Sequence, residues 1–292
     1  KKTSAWYNHC MKVKVNAKLN LTLGVVGNIG KFHAIDSVVT SVDVCDVVEV
    51  SPRNDFVVTV GGMPWVSDER NTAYRMATAL VQKFGVNGAD IVVQKGIPVG
   101  AGMGGSSADA AAVAAAFCKM YGLEKSALRD VCATVGSDVW YMVSGGFARM
   151  TGVGNDVEFF DVPDETYYVV TTFDTSCSAG EVYAWFDECG RRHLCENDEV
   201  VRLLKQGDTD SAAKLYCNDL QTAVQEKTDY ADKYLFFCGS RNIRSVMTGS
   251  GSAYFIAFAD PIAAQNICDI LNENGYKSFV CKSVKYGVTE VR

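Results

Sequence analysis

The residues of this chain best suited to chemistry stand together at 98–110. They read Pro98, Val99, Gly100, Ala101, Gly102, Met103, Gly104, Gly105, Ser106, Ser107, Ala108, Asp109 and Ala110. An alanine-rich stretch, residues 110–117, follows directly, so a glycine-serine loop opens a strong helix former. The first amide N–H groups of a helix have no intrahelical acceptor, and the macrodipole adds partial positive charge at that end. Such a terminus attracts an anion. Glycines let the backbone turn tightly and approach a ligand with no Cβ between, and Ser106 and Ser107 offer hydroxyls for a helix cap, a phosphate oxygen or a metal. The loop is not a Walker A sequence, because no Gly-Lys-Ser/Thr follows. Nor does it meet the dinucleotide pattern, in which the glycine turn is followed by an acidic residue at the next strand end. Asp138 sits on another glycine-serine turn, after Gly136 and Ser137, and Gly249, Ser250 and Gly251 form a third. Lys18 stands in an otherwise apolar run, where a lysine is costly to bury unless paired.

These residues need elements to hold them. Residues 12–23 alternate as a strand, with Val13, Val15, Ala17, Leu19 and Leu21 on one side. Residues 38–50 and 56–60 are β-branched runs separated by a hairpin-like break at Ser51, Pro52, Arg53, Asn54 and Asp55. Residues 71–84 place Ala73, Met76, Ala77, Leu80 and Val81 at helical spacing behind Asn71, a good N-cap. A short strand at 91–94 leads into the glycine-serine loop. Beyond the alanine-rich helix, residues 126–134 read as a helix broken by Gly136, and 147–150 and 157–160 as strands. Further strands are expected at 167–173, 253–259 and 278–288, and a helix at 261–272. Without regular β-α-β alternation, the class is α+β.

A chain of 292 residues can bury a substantial core. Its formal net charge of −6 argues against nucleic-acid binding, which calls for a basic patch. No apolar run reaches the roughly 18 residues needed to span a bilayer. Residues 1–10 read as an N-terminal extension ahead of Met11. Eleven cysteines, odd in number and irregularly spaced, do not suggest a disulfide framework. Most, including Cys45, Cys118, Cys132, Cys268 and Cys281, lie in apolar or helical surroundings, where a thiol acts as a small hydrophobe. Cys189, His193 and Cys195 form a metal-like cluster, but without the paired Cys-x-x-Cys of a zinc site. A reducing cytoplasm suits this usage.

Four segments in this order resemble the GHMP kinase superfamily, which phosphorylates small molecules with ATP. They are Val15 to Leu23 around Lys18 and Asn20, the glycine-serine loop, the Gly-Ser-Asp-Val of 136–139, and Met247 to Ala253 with its Thr-Gly-Ser-Gly. Each is weak alone, and their order makes the resemblance strong. The Ala-Lys-Leu-Asn-Leu start, the segment from Gly27 to His33, and Asn218-Asp219-Leu220-Gln221 are most similar to the branch acting on 4-diphosphocytidyl-2-C-methyl-D-erythritol.

The resemblance implies a two-lobed fold, residues 11–160 and 161–292, with ATP and substrate meeting in the cleft between the lobes. It places ATP on residues 98–108 and 249–251, with Ser107 as a ligand to Mg2+. Asp138 becomes the base that accepts the acceptor hydroxyl's proton. Paired with Asp138, Lys18 would keep the carboxylate ionised and neutralise charge developing on the transferred phosphoryl group. Asn20, Phe32, His33 and Tyr183 become substrate contacts, the histidine and asparagine reading a base edge and Tyr183 stacking. A cytoplasmic monomer or homodimer is implied, with no nucleic-acid or membrane partner. Three departures from the usual pattern, Phe32 for tyrosine, Val39 for an aromatic and Trp140 for proline, bear on the cytidine end and predict an incomplete sandwich of the base. A GHMP kinase for another small alcohol, or a non-catalytic paralogue with a binding role, fits the same motifs; retention of both Lys18 and Asp138 argues against the paralogue.

Overall fold

Met11, Val13 and Val15 are buried while Lys12 and Lys14 face out, the alternation that lays one face of β1 (Met11–Asn20) on a core. From Ala17 onward burial is continuous, because the strand is covered on both faces. The computed structural model describes residues 10–62, 66, 68, 70–190 and 195–291, so residues 1–9 of the expected extension and His193 lie outside the described residues.

β1 is followed by β2 (Thr22–Ile29) and β3 (Phe32–Pro52), then β4 (Thr59–Gly61), α1 (Thr72–Phe84) and β5 (Ala89–Gln94). The central helix α2 (Gly105–Tyr121) leads through a short 3-10 turn to α3 (Leu128–Val135), α4 (Val139–Ser144), β6 (Phe147–Gly152) and β7 (Asp156–Phe160). Then come β8 (Tyr167–Thr172), α5 (Ala179–Cys189), α6 (Asn197–Lys205), α7 (Thr209–Ala213), β9 (Cys217–Asn218), α8 (Asp219–Lys227) and α9 (Asp232–Ser240). The chain closes with β10 (Val246–Met247), β11 (Tyr254–Phe258), α10 (Pro261–Glu273), β12 (Lys277–Val284) and β13 (Val288–Glu290).

β3 is the spine of the fold, pairing with β1, β2, β5, β6 and β12. Its 21 residues stay in one strand because register shifts opposite Asn16/Ala17 and Val25/Gly27 let it bend. Pairings are mostly antiparallel, as an α+β fold requires, with parallel exceptions at β2–β9 and β4–β5. One core fills the space between this sheet and α1, α2 and α4. A second gathers Leu220, Tyr234, Met247 and Tyr254 between β8, β11 and the helices α5, α8, α9 and α10. β12 joins the two, pairing with β8 through its first six residues and with β3 through Ser283 and Val284. The result is two lobes around a shared sheet.

α2 is buried nearly all round, as expected of a helix that is apolar on every side. Its alanines allow close approach to α1, α4 and β1. Asn71 caps α1 by accepting from the amides of Ala73 at 3.0 Å and Tyr74 at 3.3 Å. The β-branched run at 56–60 forms a strand only at Thr59–Gly61. α4 has no counterpart in the sequence expectations, since five apolar residues and a serine carry too little periodicity to tell helix from strand.

Candidate active site

The loop enters α2 through Gly104, whose φ of +77° makes it the N-cap in a left-handed conformation, and no side chain caps this terminus. The expected serine cap is therefore corrected. Ser106 and Ser107 sit inside the first turn, and their hydroxyls remain available to the cleft. The amides of Gly105, Ser106 and Ser107 likewise have no intrahelical acceptor. Pro98, Val99, Gly100, Ala101, Gly102, Met103, Gly104, Gly105, Ser106 and Ser107 all line one cleft of about 1270 Å³, joined there by Gly249 and Ser250. Ala108 turns into the core and Gly251 stands behind the wall, so these two support the loop without lining the cleft.

The second glycine turn is bonded to the first through backbone. Ser252 and Ala253 donate their amides to the carbonyls of Gly100 at 3.3 Å and Ala101 at 3.2 Å. A Cβ on Gly102 would lie 2.2 Å from the Thr248 carbonyl oxygen, a separation only glycine permits. β1 closes the other side, where the Lys18 amide donates to the Met103 carbonyl at 3.0 Å.

Lys18 and Asn20 alternate with Leu19 at the end of β1, so both reach the cleft. The Lys18 side chain is only 6% exposed and is paired, with Nζ 3.2 Å from Asp138 Oδ2 and a hydrogen bond to Asn20 Oδ1. Asp138 precedes α4, but its side chain makes no capping bond. Its carboxylate is thus held by Lys18 and open to the cleft. Asn20 is deeply buried, and its amide is committed to Lys18 and Ser37.

At the far end, His33 stacks on Tyr183 of α5, with centroids 4.6 Å apart and an interplanar angle of 20°. His33 Nε2 lies 2.8 Å from Asp187 Oδ1, which leaves Nδ1 and the rest of the ring for a ligand. Burial first, then the negative charge of Asp138, raises the Tyr183 phenol above its ordinary range. Phe32 also lines the cleft but is 58% exposed, with the Lys31 ammonium 5.3 Å from its ring centre. Val39 is fully buried in the first core and Trp140 packs against that core, so neither side chain faces the base pocket. The sandwich was expected to be incomplete because of Val39, and that reason is removed.

Sequence reasoning missed a charged cluster beneath the loop. Lys95 Nζ lies 2.5 Å from Asp46 Oδ2 and 3.0 Å from Asp109 Oδ2, and both carboxylates are buried. Asp46 also accepts from the amides of Gly96 and Ile97, which fixes the strand exit into the loop. One lysine serves two carboxylates, and Asp109 Oδ1 is left without a hydrogen-bond partner. Burial above all, opposed by Lys95 and assisted by Asp46, pushes the Asp109 carboxyl up to about 7. An unfolded aspartate releases its proton near ~3.9, so between the two values the folded state binds more protons. Stability from this group therefore falls as pH rises, and the cost is complete above about 7. Asp109→Asn keeps an acceptor for Lys95 and removes the surplus charge. Its stability relative to the native protein is expected to rise by on the order of 1 kcal/mol or more from about pH 5 to about pH 8. Thermal unfolding at both pH values checks this, and a pH-independent difference would count against the surplus charge.

The cysteines bring a further correction. Cys195 and Cys217 form a disulfide, which takes Cys195 out of the cluster with Cys189 and His193. Parallel pairing of β9 with β2 places Cys217 opposite Thr22, and the buried Asn197–Thr22 hydrogen bond brings the start of α6 to the same place. Of the cysteines expected in apolar surroundings, Cys132, Cys268 and Cys281 are buried free thiols, whereas Cys45 and Cys118 are only half-buried. Among the described residues no cluster of three His, Cys, Asp or Glu could hold a metal, and no helix is long and apolar enough to cross a membrane.

Comparison with known proteins follows this geometry. The family described as GHMP kinases N terminal domain matches residues 71–148, the stretch that contains α1, the loop, α2 and Asp138. A 4-diphosphocytidyl-2-C-methyl-D-erythritol kinase of Caldicellulosiruptor saccharolyticus is 30% identical over 268 residues, 89% of this chain and 92% of the relative. The protein of that name in Symbiobacterium thermophilum is 33% identical over 250 residues, 82% of this chain and 88% of its own. A solved 4-(cytidine 5'-diphospho)-2C-methyl-D-erythritol kinase has a TM-score of 0.77 at 24% identity, covering 93% of this chain and 98% of the other. A homoserine kinase from Cytophaga hutchinsonii reaches 0.77 at 17% identity over the whole of both chains, so the fold by itself does not distinguish acceptors. Similarity of sequence along nearly the full length does: the chain belongs to the GHMP kinase superfamily and, within it, to the 4-diphosphocytidyl-2-C-methyl-D-erythritol kinase family.

Proposed function

We propose that this protein transfers the γ-phosphoryl group of ATP to the 2-hydroxyl of 4-diphosphocytidyl-2-C-methyl-D-erythritol. The observation that carries the reading is the Lys18–Asp138 pair, set in one cleft between a phosphate-binding helix terminus and an aromatic pocket. The ATP phosphates rest on the amides of Gly105, Ser106 and Ser107 and on the backbone of the two glycine turns. Asp138 accepts the hydroxyl proton as the acceptor oxygen bonds to the γ-phosphorus. The bond from that phosphorus to the bridging oxygen breaks, and ADP leaves. The Lys18 ammonium holds Asp138 in place and offsets the charge spread over the transferring group.

Mg2+ is part of this reading. It is bound through few protein groups together with phosphate oxygens and waters, and it neutralises phosphate charge. The Ser107 hydroxyl, uncapped on the first turn of α2, fits that need.

The cytidine end is assigned to His33 and Tyr183, whose stacked rings offer a face and an edge. Comparing the full substrate with 2-C-methyl-D-erythritol 4-phosphate, which lacks cytidine, tests the assignment. The full substrate is expected to be favoured at least about tenfold in kcat/KM, and His33→Ala to remove most of that preference. Equal efficiency with both acceptors, unchanged by His33→Ala, would make a kinase for another small alcohol the better account.

A further inference from the structure

Behind Lys18 runs a chain of buried polar side chains that the phosphoryl transfer does not itself use. Lys18 Nζ can only donate, so the Asn20 carbonyl oxygen must face it. The Asn20 NH2 is thereby turned to Ser37 Oγ, 2.8 Å away on β3. Ser37 must accept there, and it spends its own proton on the Thr22 carbonyl. Thr22 Oγ1 accepts from the Val38 amide at 2.8 Å and donates to Asn197 Oδ1 at 2.6 Å, while Asn197 Nδ2 donates to the Asp36 carbonyl at 3.0 Å. Ser37 and Thr22 are fully buried, so a lost partner is not replaced by bulk solvent. Behind the ammonium, the Asn20 NH2, the Ser37 and Thr22 hydroxyls and the Asn197 NH2 each donate to one acceptor in turn, which with Lys18 fixes which way the Asn20 amide points.

We infer that Ser37 is a positioning residue for the reaction: by accepting from the Asn20 NH2 it locks the amide oxygen onto Lys18 and so aims the ammonium at Asp138. The inference rests on the reading of Lys18 as the group that steadies Asp138 and the transferring phosphoryl. Without the Ser37 hydroxyl, the Asn20 NH2 is a buried donor with no acceptor. Lys18 still calls for the oxygen, so the amide does not turn over; its NH2 shifts toward the Thr22 carbonyl that Ser37 had occupied, and the oxygen moves out of line with the ammonium.

The test is a double-mutant cycle on kcat, with KM for ATP and the melting temperature measured alongside. Ser37→Ala is expected to lower kcat about tenfold with KM for ATP changed less than about twofold, and Ser37→Thr, which restores the hydroxyl, to recover most of the loss. In a Lys18→Met background, Ser37→Ala is expected to cost nothing further. Equal fold losses in both backgrounds, native kcat in Ser37→Ala, or no recovery with threonine would each overturn the inference. Native kcat in Lys18→Met would instead overturn the role of Lys18, and this inference with it. Should Ser37→Ala not fold, Ser37→Cys keeps the volume with a weak acceptor, and the same cycle applies.

Discussion

Asp138→Asn is expected to lower turnover by about a thousandfold or more, while the folded variant still binds ATP within a few-fold of the native affinity. Asparagine keeps the shape of the carboxylate but cannot accept the hydroxyl proton. It also presents either an amide NH2 or a weaker acceptor to the Lys18 ammonium, which now lies 3.2 Å from Asp138 Oδ2. Loss of proton acceptance and of electrostatic alignment together amount to about 4 kcal/mol on the barrier. Lys18→Met fills the same buried space without the charge and is expected to lose at least about a hundredfold. ATP affinity is expected to persist in both, because the proposed reading rests the phosphates on backbone amides of the loop and of α2. Single-turnover kinetics and calorimetry separate the two quantities. Near-native turnover in either variant would strip that residue of its role, and loss of ATP binding in Asp138→Asn would place the carboxylate in the nucleotide site.

Gly102→Ala is expected to cost both stability and ATP affinity through a single added methyl. Gly102 has a φ of +76°, and its added Cβ would sit 2.2 Å from the Thr248 carbonyl oxygen and 2.8 Å from that of Gly251. Neither neighbour is a flexible side-chain tip, so the two glycine turns must part. Left-handed strain costs about 1–2 kcal/mol and forced repacking about 1–3 kcal/mol more. Gly122 is the control, because it has a φ of +61° with nothing within 4 Å of its Cβ position. Gly122→Ala should therefore show the strain alone. Urea unfolding gives the stability difference, and calorimetry should show ATP affinity reduced at least about tenfold in Gly102→Ala only. Matching losses in the two variants would mean that the contact between the turns contributes nothing.

Much of the site was legible because its signals are local. The glycine-serine loop announces itself by glycines and serines opening an alanine helix, Asn71 by its place one residue before a helical pattern, and Lys18 by being a charge in an apolar strand. The Lys18–Asp138 pairing followed from the resemblance, and the structure brings the two together. Other features have no local trace. Asp46, Lys95 and Asp109 come from β3, the loop entrance and α2, and each looks like an ordinary surface charge in its own segment. The Cys195–Cys217 bond depends on where β9 docks on β2. Residues 32–37 lie outside the β-branched run at 38–50, and they are strand because β2 and β6 pair with them. The serine cap was misjudged because Gly104 supplies a left-handed N-cap that propensity alone does not anticipate.

β13 has a consequence for how the protein is made. It pairs with Val13, Lys14 and Val15 of β1, and the amides of Asn16 and Val291 extend the seam through bonds of 2.8 Å to Gly287 and Lys12. On the ribosome, the strand that carries Lys18 is made before every other strand among the described residues, and its neighbour β13 after them all. For most of translation β1 has one edge open, and an open edge invites pairing with the wrong chain. Joining segments from opposite ends of a sequence is also a slow step in folding. The chain can thus be largely collapsed and still lack this pairing, so β1 is completed only once β13 has been made and docked.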